Sequence, residues 1–437
     1  MKRALGLAVL ASALAASAAA TDLWDSLFDG KPGVSTDSLK AALAGLKAKT
    51  PESDKRPGLD DHYWVTLRLD GPGARGQAAK LGVSIETIEG SLVSGTADIG
   101  TLSRLQAAGI EVQSRRSLGS LGPSDFPPSD GIYHNYGQVL SELQGIANSA
   151  QGFGSSISIG NSLQGRSLAG VKLGYPSRDG KEKPAIAFLG THHAREHLST
   201  EVPLLLARWL VDHSREPRVK KLLETRDVYI VPLVNPDGVE YDIATGSYRW
   251  QRKNMRDNGD GTTGVDLNRN YDFRFGGEGA SDSPGSDTYH GPSAFSEPET
   301  RAVRDFVNGL PNLKLLVSYH TFSELILYPW GGANEPIPDG RALAAYKAMA
   351  GKMAQWTGYT PEQSSALYVA SGDTCDWAYG SKGIFCFTFE LTPKSQWQGG
   401  FYPGGGAVST TFQKNIEPAL YMIDLADDPY RAGGGNS

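Results

Sequence analysis

The chain has 437 residues, of which 39% are hydrophobic and 21% charged, and its 42 Lys+Arg and 48 Asp+Glu give a formal net charge of −6. This is an ordinary globular composition, and the length suits one large domain with a smaller one, which excludes a small disulfide scaffold. No run of Lys or Arg exceeds two residues, so we expect neither nucleic acid nor an anionic membrane as a partner.

Residues 1–20 are typical of a secretory signal peptide. A short basic start, Met1–Arg3, precedes an Ala-rich apolar stretch, Ala4–Ala16, and the small residues Ala18–Ala20. The apolar stretch is shorter than the roughly 20 residues that span a bilayer, so export is favoured over an uncleaved anchor. The sequence therefore predicts a secreted protein whose mature form has no membrane segment.

Residues 21–61 are polar and lack a long apolar period, so we expect a leader without regular structure ahead of a folded part at about 62–113. In that part, alternating apolar residues predict strands, and one amphipathic stretch predicts a helix. The predicted elements are a strand with Tyr63, Val65, Leu67 and Leu69 at alternate positions, two strands within Val83–Val93, a helix at Leu102–Ala108 and a strand at Ile110–Val112. The sequence thus predicts a small α+β unit.

A dibasic pair, Arg115–Arg116, ends this unit, and the stretch Ser117–Asp130 is rich in Gly, Ser and Pro, as linkers are. The pair is either a site for a protease or two solvated charges. We place the boundary between the leading region, residues 21–116, and the main domain, residues 117–437, at this pair.

From the linker to the end, short apolar strands alternate with amphipathic helices, a pattern typical of an α/β domain. The predicted strands are Pro184–Gly190, Val228–Val234, Leu313–Tyr319 and Ile384–Phe389, and the predicted helices are Glu201–Ser214, Glu297–Asn308 and Ala342–Trp356. Ser296 and Glu299 predict a capping box at the start of the second helix. We expect an α/β fold: a mixed open sheet with helices on both faces, preceded by the small α+β unit.

Side chains that bind metals follow three of the predicted strands. His193 and Glu196 stand at i and i+3 after the first strand, so a helical turn would put them on one face. His320 and Glu390 end two later strands, at the edge where open α/β sheets bind ligands. A catalytic zinc takes three His or carboxylate ligands and keeps one position open. A lone His-x-x-Glu match arises often by chance, and a structural His320 is the alternative, but the three strand ends favour a metal site.

Five separated blocks carry a resemblance to a known family: Gly190–Ser199, Trp250–Asn254, Gly264–Tyr271, Ser318–Gly331 and Tyr368–Leu391. Together they resemble the zinc metallocarboxypeptidases of the carboxypeptidase A/B type, and the likeness runs from about Tyr133 to Leu391. The resemblance implies a hydrolase that releases C-terminal amino acids from peptides and proteins, with one Zn²⁺ per chain as its cofactor.

The resemblance also implies a role for each matching residue. His193, Glu196 and His320 would be zinc ligands, Glu390 the general base for a zinc-activated water, Arg252 the cation at the developing oxyanion, Asp266 the acid that orients a ligating histidine, and Arg195, Asn268, Arg269 and Tyr368 substrate-binding residues. These residue types suit the roles, because a fixed cation stabilises an oxyanion and a planar guanidinium binds a terminal carboxylate through two hydrogen bonds.

The preference for the released residue is implied by the segment around Asp373. The family's specificity-setting position corresponds to Cys375, and cysteine behaves as a small hydrophobe. Asp373 puts a carboxylate where hydrophobic-specific members usually carry Gly, and in this it is similar to bacterial members of dual specificity. At the other site where relatives place an acid, this chain has Gly331, which supplies no charge. We therefore expect release of hydrophobic or aromatic residues and also of Lys and Arg. The alternative is that Asp373 only caps a turn.

Other features leave alternatives open. Cys375 and Cys386 are either bridged, as an oxidising compartment permits, or free thiols.

By the resemblance, residues 21–116 would be a propeptide that inhibits the domain within the same chain, which makes the chain a zymogen. A peptidase acting on cell-wall muropeptides and a non-catalytic secreted zinc-binding module are the alternative functions. The stretch Asp257–Gly261 lacks the full ligand spacing of a calcium loop, so the sequence gives no support for calcium.

Overall fold

The computed structural model describes residues 62–117, 130–177, 179–244 and 248–434. The predicted signal peptide, the leader up to residue 61 and most of the predicted linker lie outside these residues. Everything from residue 62 onward belongs to one compact unit. Within it we distinguish an N-terminal region, residues 62–117, and a C-terminal region, residues 130–434.

The N-terminal region is an antiparallel sheet of four strands in the order β2-β3-β1-β4, with two helices. Its elements are β1 (His62–Arg68), α1 (Gly71–Lys80), β2 (Ser84–Glu89), β3 (Leu92–Asp98), α2 (Ile99–Ala107) and β4 (Val112–Ser117). Val65 and Leu67 of β1 and Val93 of β3 point into a small core that the helices cover with Ala78 and Leu105. The predicted α+β unit is thus present.

Two details of this region differ from the predicted elements. Helix α1 has no predicted counterpart, because its buried residues are only Gly76, Ala78 and Ala79 and its sequence shows no apolar period. Strand β4 is longer than the predicted Ile110–Val112, and the dibasic pair lies inside it, where Arg115 pairs with Val65 and Arg116 with Trp64. Backbone pairing with β1 continues through polar side chains, and an apolar pattern cannot reveal such an extension.

The C-terminal region is built on a mixed sheet of eight strands in the order β11-β10-β12-β9-β7-β8-β6-β5. The strands are β5 (Gly154–Asn161), β6 (Ser167–Leu173), β7 (Ala185–Gly190), β8 (Asp227–Val231), β9 (Leu313–Thr321), β10 (Leu325–Tyr328), β11 (Thr360–Gln363) and β12 (Phe385–Leu391). The four central strands β12, β9, β7 and β8 are parallel, and β5, β6 and β10 run antiparallel to their neighbours β6, β8 and β12. The predicted mixed sheet is confirmed.

Helices cover both faces of this sheet. They are α3 (Tyr136–Ser149), α4 (Leu198–Asp212), α5 (Pro217–Thr225), α6 (Pro236–Ile243), α7 (Pro298–Asn308), α8 (Gly340–Thr357), α9 (Ser364–Leu367), α10 (Thr374–Lys382) and α11 (Gly406–Leu425). Alternate residues of β7 supply the two cores, because successive strand side chains point to opposite faces. Ile186 and Phe188 pack with α3, α4, α8 and α11, whereas Ala187 and Leu189 pack with α7 and α10. None of the described helices is long and apolar enough to cross a bilayer.

The predicted capping box at α7 is wrong. The helix begins at Pro298 after Glu297, without a side-chain cap. Ser296 Oγ instead donates to Glu297 Oε1 over 2.6 Å. Glu299 accepts from the backbone N–H of Leu163 over 2.9 Å. Glu299 therefore makes a tertiary contact in place of the capping contact that the local pattern predicts.

Candidate active site

The parallel strands β7, β9 and β12 end at the same edge of the sheet and bring the predicted site residues there. His320 and Glu390 are the penultimate residues of β9 and β12 rather than residues that follow them, and they lie opposite each other in the ladder. The predicted strands stop short because they end at the last apolar residue, while backbone pairing continues through the polar one. The sequence therefore predicted the edge correctly but ended both strands two residues too early.

His193 and Glu196 follow β7 in a turn ahead of α4, which begins at Leu198. The N–H of Glu196 donates to the carbonyl of His193 over 3.2 Å, which closes the turn and brings the two side chains together. The predicted shared orientation is thus present, but its cause is a tight turn ahead of the helix.

Three side chains converge in a buried cluster. His193 Nδ1 lies 2.7 Å from Glu196 Oε1, His320 Nδ1 lies 2.9 Å from Glu196 Oε2, and the two Nδ1 atoms are 3.2 Å apart. Across the described ranges this is the one group of three His, Cys, Asp or Glu residues close enough to hold a metal ion, with donor atoms within 4.8 Å of one another. Two imidazoles and one carboxylate are the donor set of a catalytic zinc site.

Each imidazole of the cluster is fixed through its second nitrogen. His193 Nε2 lies 3.0 Å from Asp266 Oδ1, and His320 Nε2 lies 3.0 Å from Ser318 Oγ. Such contacts set the tautomer and the ring orientation of metal-ligating histidines. Because Nε2 is engaged on both rings, both present Nδ1 to the centre of the cluster, as a metal ion there requires.

Asp266 also anchors Arg252. Its Oδ2 accepts from Arg252 Nε and Nη2, each over 3.0 Å, and both side chains are buried. Burial alone would raise the pKa of Asp266, but the charges of Arg252 and His193 outweigh it and hold the pKa well below its ordinary value. The carboxylate is therefore ionised, and one acid orients both a histidine of the cluster and a guanidinium.

Arg269 stands next to this group on a short 3₁₀ turn, Leu267–Arg269, that Asp266 caps. Its Nη1 donates to the carbonyl of Asn268 over 2.8 Å, and its Nη2 donates to the hydroxyl of Tyr368 over 2.9 Å. Asn268 is held in turn by Thr374, whose N–H and hydroxyl both donate to Asn268 Oδ1, over 3.0 and 2.8 Å. These three predicted substrate-binding residues therefore adjoin one another.

A small cavity joins these groups. It measures about 40 Å³, and its lining includes residues of the C-terminal region and two residues of β2, Ile85 and Glu86. The remaining lining residues are His193, Glu196, Arg252, Asn268, Arg269, Thr321, Phe322, Ser323, Leu367, Tyr368 and Glu390. The N-terminal region thus fills the cleft in front of the cluster and leaves room for little more than a water molecule.

Glu390 lines this cavity and is partly buried. Burial raises the pKa of its carboxyl well above the ordinary value, the charges of Glu196 and Glu86 add to the rise, and Arg252 and Arg269 oppose it. A carboxyl group in such surroundings takes up a proton more readily than an exposed one.

Arg195 lies outside the metal cluster and contacts the N-terminal region. Its Nη2 donates to Glu86 Oε1 over 2.7 Å, and its Nη1 lies 3.3 Å from Asp287 Oδ2. The guanidinium carbon is 4.4 Å from the ring centre of Phe401. In this chain, the predicted groove residue is therefore held between two acids and an aromatic face.

The comparisons with known proteins agree with this geometry. Residues 139–418 match the family model described as Zinc carboxypeptidase, Peptidase_M14. The chain belongs to the zinc carboxypeptidase family. It is 34% identical over 403 residues to a zinc carboxypeptidase of Saccharothrix mutabilis subsp. capreolus, covering 87% of this chain and 90% of that protein. It is 31% identical over 303 residues to carboxypeptidase A2 of Rattus norvegicus, covering 68% and 71% of the two chains.

Solved structures agree at the level of the fold. Carboxypeptidase A from Helicoverpa armigera superposes with a TM-score of 0.69 at 23% identity and covers 86% of this chain and 98% of its own. Thrombin activatable fibrinolysis inhibitor gives a TM-score of 0.65 at 24% identity, covering 84% and 100%. The predicted family and enzyme class are thus confirmed: the chain is a metallocarboxypeptidase, a hydrolase acting on peptides, and its family implies zinc.

The predicted specificity residues of this zinc carboxypeptidase meet at the start of α10. Asp373 Oδ1 caps the helix by accepting from the N–H groups of Cys375 and Asp376, each over 2.9 Å. Its Oδ2 is buried and has no hydrogen-bond partner among the residues that the structure describes. A methyl group added at Gly331 would lie 3.1 Å from this oxygen, so only glycine leaves the space beside it open.

Cys375 is bonded to Cys386, which settles the alternative that the sequence left open. Of the two alternatives, the bridge is the one present, and the group at the predicted specificity-setting position is a buried disulfide. The bridge connects α10 to β12, four residues before Glu390. The segment that carries Asp373 and the strand that carries Glu390 are covalently joined.

Several residues around the site were not predicted from the sequence. Glu86 sits in a strand without a recognisable motif, and Ser318 and Phe401 look like ordinary strand and loop residues. Asp242 accepts from His197 Nε2 over 2.8 Å behind the site. The stretch Asp257–Gly261 forms a turn in which Asp260 accepts from Thr262, and it belongs to no metal-binding group among the described residues.

Proposed function

We propose that this zinc carboxypeptidase is made as a secreted precursor and that its mature form removes hydrophobic, aromatic and basic residues from the C-termini of peptides. The single observation that supports the proposal is that His193, Glu196, Glu390, Arg252 and Arg269 line one cavity and that His320 joins His193 and Glu196 in the cluster beside it.

The metal site is the first element of the proposal. His193, Glu196 and His320 would hold one zinc ion, since their donor atoms, burial and outer hydrogen bonds fit a catalytic zinc site. When bound, zinc acts as a Lewis acid that polarises a carbonyl oxygen and lowers the pKa of water to about 7.

Glu390 is the general base of the proposed reaction. It takes a proton from the attacking water and passes it to the amine that leaves, a sequence that requires a carboxyl with an elevated affinity for protons. Desolvation and the neighbouring charge of Glu196 give Glu390 such an affinity. Arg252, fixed by Asp266, stabilises the negative charge that develops on the carbonyl oxygen.

Arg269 and Asn268 bind the terminal carboxylate of the substrate. Arg269 Nη2 donates to the hydroxyl of Tyr368 in this structure. A carboxylate is a stronger acceptor than a hydroxyl and offers two oxygens to a guanidinium, so substrate would take the place of the Tyr368 hydroxyl. Tyr368 would then move toward the bound peptide. Recognition of a free carboxylate makes the enzyme an exopeptidase.

Asp373 extends the specificity to basic residues. Its Oδ1 serves α10 as a cap, so the turn-capping role is real, but Oδ2 stays free to accept from the side chain of a C-terminal Lys or Arg. One carboxylate therefore both caps α10 and accepts from the side chain of the substrate.

The N-terminal region is the inhibitory part of the proposed propeptide, residues 21–116. Its β2 lines the cavity through Ile85 and Glu86, and Ser323 Oγ donates to the carbonyl of Glu86 over 2.7 Å. A peptide substrate cannot enter a cavity of about 40 Å³. Cleavage near Arg116 would free the cleft, and the signal peptide at residues 1–20 would direct export.

Digestion of a defined peptide tests the proposed function. The full-length chain, before and after limited proteolysis, is incubated with a linear peptide, and mass spectrometry follows its mass. We expect stepwise loss of C-terminal residues that a zinc chelator stops. Glu390→Gln should lower the rate about 10²–10⁴-fold while zinc content stays at one ion per chain. Internal cleavage, or activity that persists with the chelator, contradicts the proposal; a preference for isolated muropeptides supports the cell-wall alternative.

A further inference from the structure

One buried carboxylate behind the cleft connects three segments of the active site. Asp242 is the penultimate residue of helix α6 (Pro236–Ile243) and is fully buried. It lies outside the metal cluster and the cavity lining. Its position suggests a role in the geometry of the site rather than in contact with substrate.

Asp242 accepts hydrogen bonds with both oxygens. Oδ2 accepts from His197 Nε2 over 2.8 Å and from the hydroxyl of Tyr402 over 3.1 Å. Oδ1 accepts from the backbone N–H groups of Gln251, over 2.8 Å, and Arg249, over 3.1 Å. Four donors from three separate chain segments thus end on one side chain.

Two of these segments carry a proposed site residue next to the bonded one, and the third contacts such a residue. His197 follows Glu196, and Gln251 precedes Arg252. Tyr402 follows Phe401, whose ring centre is 4.4 Å from the guanidinium carbon of Arg195. The carbonyl of Arg252 also accepts from the N–H of Ala194 over 3.0 Å, which links the first two segments directly. A shift of Asp242 would therefore displace the proposed metal ligand Glu196, the proposed oxyanion-stabilising Arg252 and the Phe401 side of the groove.

A carboxylate is needed for this arrangement. Ionised Asp offers about four acceptor sites on two oxygens, whereas Asn offers one oxygen and turns two N–H donors toward the remaining donors. Burial raises the pKa of Tyr402 well above its ordinary value, with the charge of Asp242 adding to the effect, so its hydroxyl keeps the proton that it donates. An isosteric Asn would break half of the four contacts without removing volume.

We propose that Asp242 is a positioning residue that holds Glu196, Arg252 and the Phe401 side of the groove in the arrangement that the reaction requires. The inference rests on the proposed roles of Glu196, Arg252 and Arg195. It assigns Asp242 no contact with substrate or metal.

Asp237 provides a matched control on the same helix. It lies five residues earlier, is equally buried, and accepts from Ser162 Oγ, from the N–H of Gln164 and from Arg166 Nη1, each over 2.7 Å. These partners belong to the β5–β6 side of the sheet and carry no proposed site residue. Asp237→Asn therefore weakens a comparable set of hydrogen bonds to a buried carboxylate and leaves the three site segments unchanged.

Kinetics on the full-length chain after limited proteolysis test the inference. An N-acylated dipeptide and an N-acylated pentapeptide, both ending in Phe, are the substrates. Asp242→Asn should lower kcat at least tenfold on both with KM changed less than threefold, and Asp237→Asn should stay within threefold of wild type. Tyr402→Phe removes only the hydrogen bond from the Tyr402 hydroxyl to Asp242 and should lower kcat/KM for the pentapeptide alone, which keeps the test informative if Asp242→Asn folds poorly.

A second measurement is independent of turnover. Transfer of zinc to an excess of a chelating dye should be at least threefold faster for Asp242→Asn than for wild type or Asp237→Asn, because His197 no longer anchors the Glu196 turn. Equal transfer rates together with kcat within threefold of wild type would overturn the inference, as would equal losses in the two variants. A wild-type chain that releases no C-terminal residue overturns the proposed function instead, and the dye comparison still decides the role of Asp242.

Discussion

Arg195 and Glu86 form a buried ion pair across the boundary between the substrate groove and the N-terminal region, with 2.7 Å between Nη2 and Oε1. Ser84 Oγ donates to the same carboxylate oxygen over 2.7 Å, so Glu86 is fixed from its own strand as well. Removing one partner of such a pair leaves the other charge buried without compensation. The contact therefore contributes to holding β2 in the cleft.

Glu86→Gln should weaken the latency of the precursor. A hydrogen bond to a charged group contributes about 1.5–3 kcal/mol, which corresponds to roughly a 10–100-fold rise in the population with an open cleft. The measurement is hydrolysis of an N-acylated dipeptide by the uncut chain. Glu111→Gln, at an exposed position of the same region, is the control. Equal activity of the uncut wild type and the Glu86 variant would show that the ion pair does not maintain latency.

Activation should depend on the dibasic pair. From Ser117 to Gly165 the chain contains no Lys or Arg, so a trypsin-type protease can separate the two regions only at Arg115 or Arg116. Both lie in β4 and pair with β1, hence cleavage needs local opening of this edge strand. We expect the double variant Arg115→Gln, Arg116→Gln to stay latent under trypsin while wild type and Lys80→Gln gain activity. Activation of the double variant at the wild-type rate would place the maturation site elsewhere.

The sequence predicted the central strands β7, β8, β9 and β12 because each is a mostly apolar run. It missed α1, where alanine and glycine replace an apolar stripe, and it ended β9 and β12 early, because backbone pairing does not depend on side-chain polarity. The capping box failed for a related reason. Glu299 found a partner at Leu163, far away in sequence, and no local pattern can report such competition.

The metal cluster could be predicted because its residues stand in motifs at strand ends, whereas the residues that support it could not. Glu86 and Asp242 stand in segments whose chemistry becomes apparent only when other segments pack against them. The bond between Cys375 and Cys386 likewise depends on how close α10 comes to β12, a distance that spacing along the chain does not fix.

Substitutions at Asp373 should separate its two tasks. Asp373→Ser keeps an N-cap for α10 but removes the carboxylate, whereas Asp373→Ala removes both. We expect Asp373→Ser to lose about 10–100-fold in kcat/KM on peptides ending in Lys or Arg, since a charge-assisted hydrogen bond contributes roughly 1.5–3 kcal/mol, and to change less than threefold on peptides ending in Phe or Leu. If Asp373→Ser keeps the wild-type ratio of kcat/KM between basic and aromatic substrates, Asp373 has only the capping role.

Glu299 should make stability depend on pH. It accepts from Leu163 and Asn254 in a buried setting, and burial raises its pKa to about 7. An unfolded Glu has a pKa of about 4.3. Between these values the folded state binds the proton more tightly than the unfolded state, so stability present at low pH is lost as the pH rises through this window.

Glu299→Gln should remove that loss. The free energy of unfolding of the variant relative to wild type should rise by about 1–3 kcal/mol between pH 5 and pH 8, since one pKa unit corresponds to about 1.4 kcal/mol. Urea unfolding at both pH values, followed by tryptophan fluorescence, measures the difference. Glu216→Gln removes a charge from a side chain that is 60% exposed and should show no such change. If the difference in free energy of unfolding between Glu299→Gln and wild type is the same at both pH values, Glu299 is ionised throughout the range. A proton that is not taken up on folding cannot couple stability to pH.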